Sequence, residues 1–167
     1  MTVSIQQIIS ALKKANELHL QMLLVGGEKH RAIINNNTSE LIKCMTEETR
    51  LLNQMNETEE QRVEAMSAYL KGKGIKSQLD LTVSELARLV FDQDEKIELL
   101  EVRNQLLNNA SELKQQNQIT KQLLEQSLNF IDFSLNLFVG VDDDLIYQNP
   151  TNVPVKPNKN NFFDAKA

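Results

Sequence analysis

Two long stretches of this chain, residues 28–71 and 75–139, contain neither glycine nor proline. Glycine loses the most backbone entropy in a helix. Proline removes an amide donor and clashes with the preceding turn. They cost a helix interior about 1 and about 3 kcal/mol. Runs this long without either, and rich in Leu, Glu, Gln, Lys and Asn, predict long helices. The glycines fall at 26, 27, 72, 74 and 140, and all three prolines lie between 150 and 157. These residues punctuate the chain.

The first helix is expected to begin at Ser4, where Gln7 stands three residues on in a capping-box pattern. Ile5, Ile8, Leu12, Ala15 and Met22 then keep a helical stripe. Gly26-Gly27 inside it is either a kink or a point of close helix approach, and the sequence leaves both open. Asn35-Asn36-Asn37 should end it, because Asn tolerates left-handed geometry and caps helices. A second helix should follow Asn37, with Glu40 bonding back to the cap. Leu41, Met45, Leu52, Met55, Val63, Met66 and Leu70 form its stripe. "KGKG" at 71–74 sets cations and then Gly at its C-terminus. Thr82 with Glu85 opens a short helix, the chain turns around "DQDEK", and a long helix follows. The expected spans are 4–34, 38–71, 83–91 and 94–139.

Helices joined by short connections should lie antiparallel. The expected fold is all-α: an elongated antiparallel bundle of three long helices plus one short helix over residues 1–140. Residues 141–167, rich in Asn, Asp, Lys and Pro, read as a mobile tail. Two apolar islands stand out in it, Leu145-Ile146-Tyr147 and Phe162-Phe163.

Several functions are disfavoured. The net charge is −5 and the 18 Lys and Arg are scattered, which argues against nucleic acid. Cys44 is alone, so it reads as a small buried apolar residue. "MTVSIQQIISALKK" lacks the pattern of a signal peptide, and no window approaches the roughly 18 apolar residues of a membrane span. A cytoplasmic protein without direct membrane insertion is expected. His19 and His30 have no acidic or Cys partner at metal-ligand spacing, and "GGEKHR" is not a phosphate-binding loop. The acidic run at 142–144 reads as solvated. No metal, no cofactor and no catalytic residues are expected, so the chain is not read as an enzyme.

The end of the last helix, "LLEQSLNFIDFSLNLFVG", is different in kind. At 100° per residue, Leu124, Leu128, Ile131, Leu135 and Phe138 share one side. Traced backwards through Leu99, Val102, Leu106, Ala110, Leu113 and Asn117, they form the expected core stripe. Leu123, Phe130, Phe133 and Leu137 lie on another side, and Ile119 joins them. Upstream that side carries Glu101, Gln105, Asn108, Glu112 and Gln115, an ordinary solvated face. An amphipathic helix on a core needs one apolar stripe, and this second stripe begins only in the last turns. It predicts a binding face for a partner helix. A foreign partner, self-association and intramolecular burial all remain open at this point.

The ordered motifs carry a resemblance. "LLVGGEKHRAIINNNTSEL" is followed by "TEETRLLNQMNETEEQR", with Glu48, Leu51, Leu52, Met55, Glu59 and Arg62 in a Glu-x-x-Leu-Leu…Glu-x-x-Arg spacing. "LTVSELARL", "NQITKQLLEQSLNFIDFSLNL", "LIYQN" and "NFFDAKA" follow in turn. Together they resemble the FlgN family of flagellar type III export chaperones over nearly the whole chain. The resemblance implies a protein that binds the helical ends of hook-associated proteins of the hook–filament junction, prevents their premature assembly, and delivers them to the cytoplasmic domain of the membrane export gate. Carried onto this sequence, it makes Ile119, Leu123, Phe130, Phe133 and Leu137 the substrate-protein face and Tyr147 the export-gate contact. Tyr147 is followed by Gln148, where the family often has Gly. The alternative class is a self-associating structural coiled coil or adaptor that uses the same stripe, and a weak homodimer is one of the partner states left open.

Overall fold

The first helix ends where three consecutive asparagines begin. In the computed structural model, which describes residues 5–75 and 81–143 with side chains to residue 139, α1 spans Ile5–Ile34. Asn36 takes a left-handed φ of 51°. Asn37 then caps α2, Thr38–Gly72, its Oδ1 accepting the Glu40 amide at 3.1 Å. Only half of the expected box forms, because the Glu40 carboxylate turns to Lys43 at 3.2 Å instead. The Ser4 cap lies outside the described residues.

At its other end, α2 closes in a Schellman motif. Gly74, at φ 76°, donates to Lys71 O at 3.0 Å, and Ile75 donates to Leu70 O at 3.0 Å. The short helix α3 spans Val83–Ala87 and begins with the complete Thr82–Glu85 capping box. It is shorter than the 83–91 expected. Leu89 donates to Leu86 O at 2.8 Å, a tighter turn, and Leu86, Ala87 and Val90 all enter the core. The last helix, α4, spans Gln93–Asp143, with Asp92 Oδ1 accepting the amides of Asp94 and Glu95. It passes Gly140, which was expected to end it. Of the expected mobile tail, 141–167, residues 141–143 are helical and the rest lie outside the described residues. No strand occurs among the described residues, and the fold is all-α.

The chain divides into two units, residues 1–127 and residues from 128 onward. In the first, α1 and α2 run antiparallel. Ile5, Ile8 and Leu12 share a core cluster with Met66, Tyr69 and Leu70, and further along Lys29 pairs with Glu48 at 2.5 Å. α4 runs parallel to α1: Lys13 meets Glu98 at 2.6 Å, Asn109 donates to Asn16 at 2.9 Å, and Gln116 donates to Leu23 O at 3.0 Å. Consecutive long helices are therefore antiparallel. A second, smaller cluster joins Leu18, Met22 and Leu51.

Burial follows a spacing of 3.5 residues, and this corrects the expected stripes. On α2 the buried positions include Cys44, Leu51 and Thr58, seven apart, while Met45, Leu52 and Val63 are exposed. On α4 the side facing its neighbours runs Leu99, Val102, Leu106, Asn109, Leu113, Gln116 and Thr120. Asn117 is exposed, and so are Leu124, Leu128, Ile131, Leu135 and Phe138, all five expected in the core. A straight helix drifts about 20° per heptad against a 3.5 repeat. A stripe traced on the ideal 3.6 period therefore walks off the seam. Helices that supercoil around each other keep it. Burial also raises the Cys44 thiol above its ordinary value, aided by Glu40, Glu28 and Glu48 and opposed by Lys29.

Gly26-Gly27 is a point of close approach within an unbroken helix. A Cβ on Gly26 would overlap the Gln116 carboxamide, whereas one on Gly27 would make ordinary contact at 3.7 Å. Gly27→Ala is therefore expected to stabilise the chain by about 1 kcal/mol through helix propensity. Gly26→Ala should lack that gain, because Gln116 must leave its bond to Leu23 O. Urea midpoints of the two variants check this.

Candidate binding surface on the last helix

The lengths of the helices decide where α4 is covered. Gln116 of α4 lies against Leu23 of α1. Both helices advance in the same direction, so eleven residues further on Ile34, the last residue of α1, matches Ser127. α2 begins at Thr38, at that same end of α1. α4 continues for another 16 residues to Asp143, about 24 Å of helix.

Residues 128–139 of the second unit are exposed except Ser134. Leu128 is 60% exposed, Phe130 70% and Phe138 75%, and Ile131, Phe133, Leu135 and Leu137 are all at least half exposed. The serine hydroxyls are satisfied within the helix: Ser127 donates to Leu123 O at 2.9 Å and Ser134 to Phe130 O at 2.8 Å. They present little polar demand to anything packed over them. At about 150–250 Å² for a large side chain, seven that are half or more exposed offer on the order of 700 Å². That exceeds the roughly 300–600 Å² of the largest patch on an ordinary monomer.

Of the residues read from the sequence as the substrate-protein face, Phe130, Phe133 and Leu137 lie together on this bare helix. Ile119 and Leu123 lie in the first unit, where Ile119 is exposed and Leu123 half-buried. Tyr147, read as the export-gate contact, lies outside the described residues. Sequence reasoning missed the exposure of Leu128, Ile131, Leu135 and Phe138, which it assigned to the core. The available signal was the seven-residue spacing of Leu99, Leu106, Leu113, Thr120, Ser127 and Ser134, which marks the true seam.

The first unit also has a groove of about 330 Å³ between α2 and α4, lined by Leu52, Met55, Leu113, Thr120 and Leu124 beside the Lys29–Glu48 pair. The Thr120 hydroxyl is buried there without a partner. Among the described residues no cluster of His, Cys, Asp or Glu could hold a metal, and no helix is long and apolar enough to cross a membrane. What the last turns of α4 offer is apolar area, the currency of helix-on-helix recognition.

Residues 1–153 match the family model described as FlgN protein. This chain belongs to the FlgN family. FlgN proteins are flagellar export chaperones, and the match runs through all four helices. The chain is also similar to the uncharacterized protein YvyG of Bacillus subtilis (strain 168), 27% identical over 166 residues, which covers 99% of this chain and 100% of that protein. No solved structure matches this chain.

Proposed function

We propose that this FlgN-family chain is a cytoplasmic, non-catalytic chaperone of flagellar type III secretion. It binds the helical ends of hook-associated proteins, keeps them from assembling prematurely, and hands them to the cytoplasmic domain of the export gate. The observation that carries this reading is the run of exposed apolar side chains from Leu128 to Phe138. Terminal helices that bundle with their neighbours in an assembled filament are themselves amphipathic. Packing their apolar face on Phe130, Phe133 and Leu137, with Ile119 and Leu123 extending the stripe, replaces the assembly contact with a temporary one. The mechanism is competition for one apolar face, with no bond made or broken. Surrender of the cargo at the gate requires that the affinity stay moderate.

Tyr147 is the gate contact in this reading. Cells that carry Tyr147→Ala should release several-fold less hook-associated protein into the medium, while the purified variant binds that protein as the unmodified chain does. Immunoblots of medium and cell fractions, beside a binding titration, check this. Normal release by Tyr147→Ala cells would remove Tyr147 from the mechanism.

A further inference from the structure

We infer that the end of α4 takes two partner helices at once, packed side by side, in the places that α1 and α2 occupy further up the same helix. This rests on the chaperone reading and specifies the form of its cargo.

The observation is the match between two faces of α4. In the first unit α1 lies against one flank: Asn16 bonds Asn109 and Gln105, Lys13 bonds Glu98, and Leu23 O accepts from Gln116. α2 faces the other flank across an open groove, where Asn117, Thr120, Lys121 and Leu124 of α4 form one wall and Glu48, Leu52 and Met55 of α2, with Met22 and Lys29 of α1, form the rest. Counting on by sevens, the α1-facing positions (98, 105, 109, 116) become Phe130, Phe133 and Leu137. The α2-facing positions (117, 121, 124) become Leu128, Ile131, Leu135 and Phe138. Ser134 continues the line of Leu99, Leu106, Leu113 and Thr120 that runs between the flanks.

In the second unit the two stripes are therefore the continuation of an interface already used by this fold. Their centres are about 145° apart around the helix, and together with Ser134 they fill about 220°. One packed helix covers a stripe of roughly 100°. A single partner helix leaves the other stripe in water. A second copy of this chain, contributing one helix end, has the same shortfall. One stripe offers on the order of 350 Å², well under the roughly 800 Å² per partner of a standard specific interface. Two helices from one cargo molecule reach that scale.

The test uses the full chain and an intact hook-associated protein of the same organism, titrated by calorimetry. The comparison arm is the C-terminal helical segment of that protein alone. Two variants separate the stripes: Leu128→Gln with Leu135→Gln, and Phe130→Gln with Leu137→Gln. Gln is a good helix former, and circular dichroism confirms that the helix persists. If Gln lowers the helix content, Ala at the same positions repeats the test.

The expected result is that each variant binds the intact protein at least tenfold more weakly, and that the lone segment binds at least tenfold more weakly than the intact protein. If the Leu128/Leu135 variant binds normally while the Phe130/Leu137 variant does not, one helix on one stripe suffices. The inference then fails and the chaperone reading stands. Normal binding by both variants removes both. A concentration-dependent dimer in sedimentation that the Leu128/Leu135 variant disperses would make a second copy the occupant and overturn the inference. Tighter binding after removal of residues 144–167 would make that segment the occupant, with the same consequence.

Discussion

Leu99→Ala is expected to destabilise the chain by about 3 kcal/mol, whereas Leu135→Ala in the same helix should change stability by less than about 0.5 kcal/mol. Leu99 is fully buried in the cluster that joins α1, α2, α3 and the start of α4. Truncating it removes the transfer free energy of its methyl groups and leaves a cavity in the cluster that holds Ile8 and Leu12 of α1, Leu70 of α2 and Leu86 of α3, residues from three different elements. Such a site relaxes poorly, and the loss is a large part of the roughly 5–15 kcal/mol that stabilises a typical domain. Leu135 is 55% exposed, so its truncation leaves no cavity. Urea denaturation of both variants checks the pair. Similar losses at both positions would mean that the end of α4 is packed in the free chain.

The contrast between these two leucines shows what the sequence made legible. Helix ends were readable because their signals are local. Asn36 supplies a left-handed residue, Thr82 and Glu85 bond each other three residues apart, and Gly74 takes the conformation that a Schellman turn requires. Each depends on neighbours within one turn. The choice between kink and close approach at Gly26-Gly27 was not local, since Gln116 lies 90 residues downstream of Gly26 in sequence. The amide layer of Asn16, Gln105 and Asn109 was hidden for the same reason.

The core stripe of α4 failed for a geometric reason. Steps of three and four can follow either a 3.6 or a 3.5 period, and over one heptad the two differ by only about 20°. From Leu99 to Phe138 that difference accumulates to about 110°, enough to carry the stripe off the seam. Leu106 and Leu113 fit both periods, so the error became visible only at Asn117 and beyond, where the supercoiled seam turns to Gln116 and Thr120. Ser127 and Ser134 then sit on the seam, small and polar, where a leucine would have declared it. The candidate site was legible as an apolar excess near the end of the helix. Its two-sidedness needed the lengths of α1 and α2, because Ile34 and Thr38 decide where cover stops.

The other large effect expected is on binding. Phe130 and Phe133 are 70% and 61% exposed in the free chain. Covering two such rings removes roughly 100 Å² each from water, worth about 2–3 kcal/mol apiece at about 25 cal/mol per Å². Replacing both by Asp removes that gain and forces two carboxylates against an apolar helix. Affinity should fall by at least about a hundredfold, near 2.8 kcal/mol. The fold should be indifferent, since both rings are exposed and neither belongs to a core cluster.

Calorimetric titration of the full chain with the purified C-terminal helical segment of a hook-associated protein from the same organism tests the central claim most directly. The Phe130→Asp, Phe133→Asp variant is run alongside, with helicity followed by circular dichroism. The expected result is a saturable heat of binding for the unmodified chain and none for an equally helical variant. Equal binding by both proteins, or no binding by the unmodified chain to any such segment, would contradict the placement of the cargo on the exposed end of α4.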